Sequence, residues 1–290
     1  MARGCRGAQS SRGVLTRLNG LDFYIEREGS GPPLLLLHGF TGSLRTWDEL
    51  RPRLLRSAQV VVVDLIGHGR SAAPTDHGRY TLEWSARDLA ALLDSLEMDA
   101  VDLLGYSMGG RVALHFAVEA PERVRRLVLE SASPGIADDA ERGQRARSDA
   151  ALAHRILDHG VAAFVDDWER QPLLEPAAHV SADRRAVQRA QRLQNDPIGL
   201  VNSLRGMGAG QQTPLWDRLA EVRNPVHLIV GESDARYRQI AESMRQLMPA
   251  AEVSVVPEAG HTVHLDQPRL FGDLVAAILD NKLTRPGGRC

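Results

Sequence analysis

This chain is short of the features that mark several broad classes of protein. It has only 2 cysteines in 290 residues, Cys5 and Cys290, at opposite ends and with no His or second Cys at ligand spacing. Neither a disulfide framework nor a cysteine metal site is expected. The formal net charge is -2, which gives no electrostatic case for nucleic acid or an anionic membrane as the main partner. No apolar run approaches the ~20 residues of a membrane span. Among the 10 histidines there is no His-Glu-x-x-His pattern, so no metal and no cofactor is expected. No internal repeat is evident. The stretch from Met1 to Arg12 is rich in Arg, Gly and Ser, has no acidic residue and lacks the apolar region of a secretory signal. Residues 1–13 read as a disordered leader, with a transit peptide or an over-called start codon as alternatives. Residues 284–290 read as a disordered tail.

What is present is an alternation of short apolar runs and helical stripes. A hydrophobic fraction of 43% suits one large α/β domain with an inserted subdomain. Leu21-Asp22-Phe23-Tyr24-Ile25 alternates like an edge strand that pairs with the segment before it. Leu34 to Leu37 and Val60 to Val63 are continuous apolar runs, as expected of strands buried on both faces. Trp47, Leu50, Leu54 and Leu55 read as a helix stripe, and Leu82, Leu89, Leu92, Leu93 and Leu96 as another. Further strands are expected at Val101 to Leu104, Leu127 to Glu130, Pro225 to Val230 and Glu252 to Val256. Ile240, Met244 and Leu247 mark a helix before the last strand, and Phe271 to Leu279 a closing helix. Residues 136–223 carry no strand-like run and are rich in Arg, Asp, Ala and Gln. The expected fold is α/β: a mostly parallel sheet flanked by helices, with residues 14–135 and 224–283 as core and 136–223 as an inserted helical cap.

The stretch Gly105-Tyr106-Ser107-Met108-Gly109-Gly110-Arg111 lies between a strand and a helix. Strand, Gly-x-Ser-x-Gly, helix is the context of a nucleophile elbow, where the chain reverses sharply and the glycines remove Cβ atoms that would clash. Asp234 and His261 follow later strands, so the order along the chain is Ser, Asp, His. That is the order of the α/β-hydrolase fold. Serine is a poor nucleophile or base until a histidine takes its proton and a carboxylate steadies the imidazolium. His264 competes with His261, but Ala-Gly-His directly after the last strand favours His261. The backbone N–H groups of Phe40 and Met108 are the expected oxyanion hole. His38, Asp64 and Glu130 also fall at strand carboxyl ends, where ligands of such sheets bind. The loop Gly67-His68-Gly69-Arg70-Ser71 reads as architectural.

Arg111 is an oddity, because a cation in the first turn of a helix opposes the macrodipole. It holds an anionic substrate group, or else a nearby carboxylate pairs with it. Arg142, Arg145, Arg147, Arg155, Arg184, Arg185, Arg189 and Arg192 populate the cap. Most are expected on solvated faces, with two or three turned toward the elbow as a carboxylate-binding lid. Trp168 packs over a substrate ring or anchors cap to core.

The elbow with its arginine, Ser133-Pro134-Gly135-Ile136, the run from Glu141 to Asp149, and Phe164-Val165-Asp166-Asp167-Trp168 with Gln171-Pro172 together resemble the MenH family. Leu204 to Gly210 and Gly231 to Tyr237 are similar to it as well, so the likeness runs from about Leu34 to Leu279. These are the 2-succinyl-6-hydroxy-2,4-cyclohexadiene-1-carboxylate synthases of menaquinone biosynthesis. The resemblance implies a cytoplasmic lyase. It would eliminate pyruvate from 2-succinyl-5-enolpyruvyl-6-hydroxy-3-cyclohexene-1-carboxylate, with the triad serine acting as base. It also implies substrate contacts at Tyr106, Arg111, Arg145, Trp168 and Arg192, with Arg189 as the alternative to Arg192 by a shifted alignment. Ala235-Arg236-Tyr237 departs from the family pattern. The implied partner is a small carboxylate-rich molecule, and the protein a monomer or small homo-oligomer. A serine ester or C–C-bond hydrolase is the alternative enzyme, and a non-enzymatic small-molecule receptor the alternative from another class.

Overall fold

The computed structural model describes residues 13–280. The expected leader up to residue 12, the tail 284–290 and positions 281–283 of the expected core lie outside the described residues.

Eight strands form one sheet in the order β1-β2-β4-β3-β5-β6-β7-β8. They are β1 (Val14–Leu18), β2 (Leu21–Glu28), β3 (Pro33–Leu37), β4 (Gln59–Val63), β5 (Val101–Tyr106), β6 (Val124–Glu130), β7 (Val226–Gly231) and β8 (Ala251–Val256). β1 and β2 form an antiparallel hairpin, β2 runs antiparallel to β4, and every other pair is parallel. The edge is therefore β1. β2, expected at the edge, is instead hydrogen-bonded on both sides, and its Phe23 to Ile25 are buried.

The continuous apolar runs have a direct physical reading. Successive strand side chains point to opposite faces. Leu35, Leu37, Val61, Val63, Leu103 and Leu129 enter one core layer, while Leu34, Leu36, Val60, Val62, Leu104 and Val128 enter the other. Both layers are covered, so no strand residue there can be polar without cost. Burying each such leucine contributes roughly 1.5–3 kcal/mol.

The helices are α1 (Arg51–Leu54), α2 (Leu82–Ser95), α3 (Met108–Glu119), α4 (Asp139–Trp168), α5 (Ala182–Leu193), α6 (Pro197–Met207), α7 (Ala235–Leu247), α8 (Val263–Asp266) and α9 (Pro268–Leu279). α2 and α3 cover the first layer; α1, α8 and α9 cover the second. The helix expected through Trp47 to Leu55 is broken into a 3-10 turn at Leu44–Trp47 and the short α1. Pro52, in the first turn of α1, has no N–H to continue a helix from the preceding turn. The α7 stripe also differs from expectation: Ala241 and Met244 are buried, but Leu247 is 46% exposed at the helix end.

α4, α5 and α6 all lie between β6 and β7. α4 is two helices joined at Gly160, whose φ of 78° and ψ of 172° break the helical run. That conformation suits glycine, which lacks the Cβ that penalises positive φ. Ile156, Phe164, Val165, Leu200 and Leu204 form a separate small core, against which Phe40 of the β3–α1 connection packs. Chain entry and exit meet at the base of this insertion. The Leu215 N–H donates to the Pro134 carbonyl (2.8 Å), and the Trp216 indole N–H to that of Gly135 (2.9 Å).

Candidate active site

Ser107 joins β5 to α3 with φ 49° and ψ −108°, a conformation that costs on the order of 1–3 kcal/mol for a residue with a side chain. Its N–H donates to the Glu130 carbonyl (2.9 Å), and its own carbonyl accepts the Arg111 N–H (3.0 Å). The flanking glycines allow the helix to press onto the sheet. A Cβ on Gly105 would lie 2.4 Å from the Gly109 carbonyl oxygen, and one on Gly109 would lie 2.4 Å from that of Leu37.

Three predicted residues converge here. The Ser107 hydroxyl lies 3.1 Å from His261 Nε2, and His261 Nδ1 lies 2.8 Å from Asp234 Oδ2. His261 and Asp234 are buried. With Nδ1–H donated to the carboxylate, the Nε2 lone pair faces the serine O–H. Asp234 also accepts the Tyr237 N–H through Oδ1 (3.1 Å) and so caps α7. Helix cap and orienting carboxylate are thus one residue using its two oxygens. His264, the competitor, is engaged elsewhere: its Nδ1 and its backbone N–H both contact the Glu130 carboxylate at 2.9 Å.

Phe40 follows β3, and its amide, like that of Met108 at the start of α3, has no acceptor among the described residues. The β3 loop is held from two sides. His38 Nδ1–H donates to the Gly39 carbonyl (2.8 Å), and His38 Nε2 accepts the Leu65 N–H (3.0 Å). Burial pushes the His38 pKa down to about 4, which keeps the ring neutral in this double role. Asp64 accepts the N–H groups of Leu44 (2.6 Å) and Arg70 (2.8 Å), and its burial raises its pKa. The loop from Gly67 to Ser71 therefore braces the neighbouring connections.

The five substrate-contact candidates fall into two groups. Tyr106, Trp168 and Arg192 line one cavity of about 300 Å³ together with Gly39, Phe40 and His264. Tyr106 donates to or accepts from Thr262 Oγ1 (2.8 Å), and its ring lies 5.7 Å from that of His261. Trp168 packs edge-on to Phe40 (5.3 Å) and beside Phe164 (5.5 Å), so it anchors α4 to the β3 loop as well as lining the cavity. Arg192 is buried and donates to Glu169 (2.9 Å), whereas Arg189 sits at the surface on Glu169 and Asp166.

Arg111 and Arg145 form the second group, outside that cavity. The Arg111 guanidinium donates to the Met207 carbonyl (2.7 Å) and to Gln212 Oε1 (3.3 Å), and it makes no ion pair among the described residues. Burial, reinforced by nearby Arg145, pushes its pKa down to about 10. Arg145 donates to the buried Asp149 (2.7 Å). Tyr237 links this group to the triad, with its ring 4.5 Å from that of His261. Most other cap arginines are engaged away from the elbow: Arg142 with Asp139, Arg155 with Asp167, Arg184 with Glu49, and Arg185 with the Val180 carbonyl.

Sequence reasoning missed Asn195, Gln212 and Thr262. It quoted Tyr237 within a family-like stretch and as a departure from pattern, without a role. All four act through partners distant in the chain, and a single sequence carries no signal for that pairing.

A family profile described as alpha/beta hydrolase fold matches residues 32–268. A Bacillus subtilis (strain 168) protein provisionally named 2-succinyl-6-hydroxy-2,4-cyclohexadiene-1-carboxylate synthase is 42% identical over 267 residues, covering 91% of this chain and 97% of its own. The protein of that name from Salmonella newport (strain SL254) is 32% identical over 248 residues, covering 86% and 94%. Among solved structures, MenH from S. aureus superposes with a TM-score of 0.85 at 31% identity, covering 90% of this chain and 99% of that one.

Proposed function

Because this chain belongs to the α/β-hydrolase fold family, and within it to the 2-succinyl-6-hydroxy-2,4-cyclohexadiene-1-carboxylate synthases, we propose that it is the pyruvate-eliminating lyase of menaquinone biosynthesis, with Ser107, His261 and Asp234 as its base. The substrate is 2-succinyl-5-enolpyruvyl-6-hydroxy-3-cyclohexene-1-carboxylate. His261 Nε2 takes the Ser107 proton while Asp234 steadies the imidazolium. The Ser107 oxygen removes a ring proton. The amides of Phe40 and Met108 are the donors for the negative charge that develops on the substrate as its proton leaves. The released electron pair forms the double bond at ring position 2, the existing double bond shifts from position 3 to position 4, and the C–O bond to the enolpyruvyl group at position 5 breaks. Pyruvate leaves as its enolate and is reprotonated from the serine–histidine pair.

One observation carries this reading: Arg111 lies one helical turn from Ser107, half-buried, with Arg145 nearby and no ion-pair partner among the described residues. A half-buried cation of this kind is stabilised when a ligand carboxylate completes it. Residues 136–223 serve as the cap that brings Arg145, Trp168 and Arg192 over the core. Among the described residues no helix is long and apolar enough to cross a membrane. The reading goes with a cytoplasmic enzyme, monomeric or a small homo-oligomer, acting on a small carboxylate-rich molecule without a metal or cofactor.

The test is pyruvate release from freshly generated substrate, coupled to lactate dehydrogenase, with Ser107→Ala alongside. Release well above the spontaneous rate, lost in the variant, is expected. No acceleration, together with efficient turnover of simple esters, would move the assignment to a serine hydrolase.

A further inference from the structure

The triad leaves a second acid–imidazole pair unused. Glu130, at the end of β6, is wholly buried, and among the described residues its one basic partner is His264. Both carboxylate oxygens lie 2.9 Å from His264 Nδ1, and Oε1 also accepts the His264 N–H. The ring is fixed by Tyr106 (4.8 Å), Trp47 (5.1 Å) and Phe271 (6.1 Å). With Nδ1 committed to Glu130, the remaining ring nitrogen is Nε2. It has no partner among the described residues, and His264 forms part of the wall of the cavity shared by Tyr106, Trp168 and Arg192.

A carboxylate taken wholly out of water needs a compensating charge. The His264 ring, in contact with both oxygens, is the group placed to supply it, and in its cationic form Nε2 is an N–H donor. The other charged walls are largely engaged: Arg45 with Glu26 and Asp48, Arg184 with Glu49, and Arg192 with Glu169, while Asp183 is exposed. Arg192 approaches from the cap and His264 from the core.

We propose that His264, held by Glu130, is a substrate-binding residue whose Nε2–H donates to a carboxylate of the substrate, shared with Arg192, while the Arg111–Arg145 group takes a different carboxylate. This rests on the lyase reading above and adds a contact to it. Two cationic stations separated by the triad would fix the ring so that a defined proton faces Ser107.

The experiment is steady-state pyruvate release by the full-length enzyme, wild type and His264→Gln, across pH 6 to 9, with thermal melts to confirm folding. Glutamine keeps a hydrogen bond but cannot carry charge. KM is expected to rise ~10- to 100-fold, the range of a lost charge-assisted hydrogen bond, with kcat within about threefold. Glu130→Gln keeps an acceptor for Nδ1 but removes the carboxylate that both orients and balances the ring, and its KM should rise as well. Should either variant fail to fold, Glu130→Gln/His264→Phe removes acid and base together and carries the same expected rise in KM. A folded His264→Gln enzyme with wild-type KM, or one that loses kcat at unchanged KM, would overturn the assignment of His264 alone. Wild-type enzyme that releases pyruvate no faster than the spontaneous rate would overturn the lyase reading along with it.

Discussion

Asn195, just beyond the end of α5, donates its side-chain amide to the backbone carbonyl of Thr41 at 2.8 Å. Its Oδ1 accepts the Gly69 N–H at 3.0 Å, and the residue is buried. Thr41 directly follows Phe40 and has a φ of 67°. One side chain from the insertion therefore fixes the strained loop that presents the Phe40 amide.

Replacing Asn195 with Ala would leave the buried Thr41 carbonyl without a partner, at about 1–3 kcal/mol, and release the half-buried Gly69 N–H. The loop would relax and the Phe40 amide would lose its aim. A fall in kcat of ~10- to 100-fold with a smaller change in KM is expected. Steady-state kinetics on Asn195→Ala checks this; a variant of unchanged kcat would show that the loop holds itself.

Arg111→Met should separate stability from activity. The guanidinium is held against the cost of burial, which lowers its pKa to about 10, and no ion pair offsets that cost. Its loss leaves two uncharged acceptors unpartnered, a smaller penalty than burying the charge. The variant is expected to melt no lower than wild type yet lose ~100-fold or more in kcat/KM. Differential scanning calorimetry beside the pyruvate assay reads both. Wild-type kinetics would remove the anion-binding role.

Asp234→Asn and Asp234→Ala should differ in stability and agree in activity. Both deprive His261 of its orienting carboxylate, a change worth ~10⁴ in turnover where a serine depends on it. Asparagine still caps α7, whereas alanine forfeits about 1 kcal/mol of cap. Melting temperatures and residual rates of the two variants, measured together, test the double use of this residue.

Acid should weaken the fold through its buried histidines. Burial holds His38 at about 4 and His68 at about 3, against an ordinary value of 6.5. Between those limits the unfolded chain binds the proton and the folded chain does not. Stability is therefore present above pH ~6.5 and is lost as pH falls toward 4 and then 3, by on the order of a few kcal/mol per ring. Urea melts at pH 7 and pH 4.5 measure the slope. His68→Phe is expected to flatten it, since it removes the titrating ring, at the expense of the Nδ1–H hydrogen bond to the Ile66 carbonyl (3.0 Å).

The elbow and triad were legible because each residue sits at the end of an apolar run, and such runs are what parallel strands buried on both faces require. Arg111 was legible for the opposite reason: it breaks a local rule at the start of α3. The division of the arginines into two stations was not. It depends on whether Arg192 or Arg189 turns inward on α5, and the surface pairs of Arg189 with Asp166 and Glu169 decide that. The Glu130–His264 pair was visible only as two separate polar residues, 134 positions apart.

The hydrogen bonds from Leu215 to Pro134 and from Trp216 to Gly135 close the insertion at its root. To the core, everything between them is one loop whose ends already touch. The entropy of closing such a loop grows only with the logarithm of its length. Helices can thus be lengthened, rearranged or exchanged above that root at small thermodynamic cost to the triad beneath. Seen from the core, the neck is a socket: what is built above it can change while the Ser107–His261–Asp234 geometry beneath keeps its alignment.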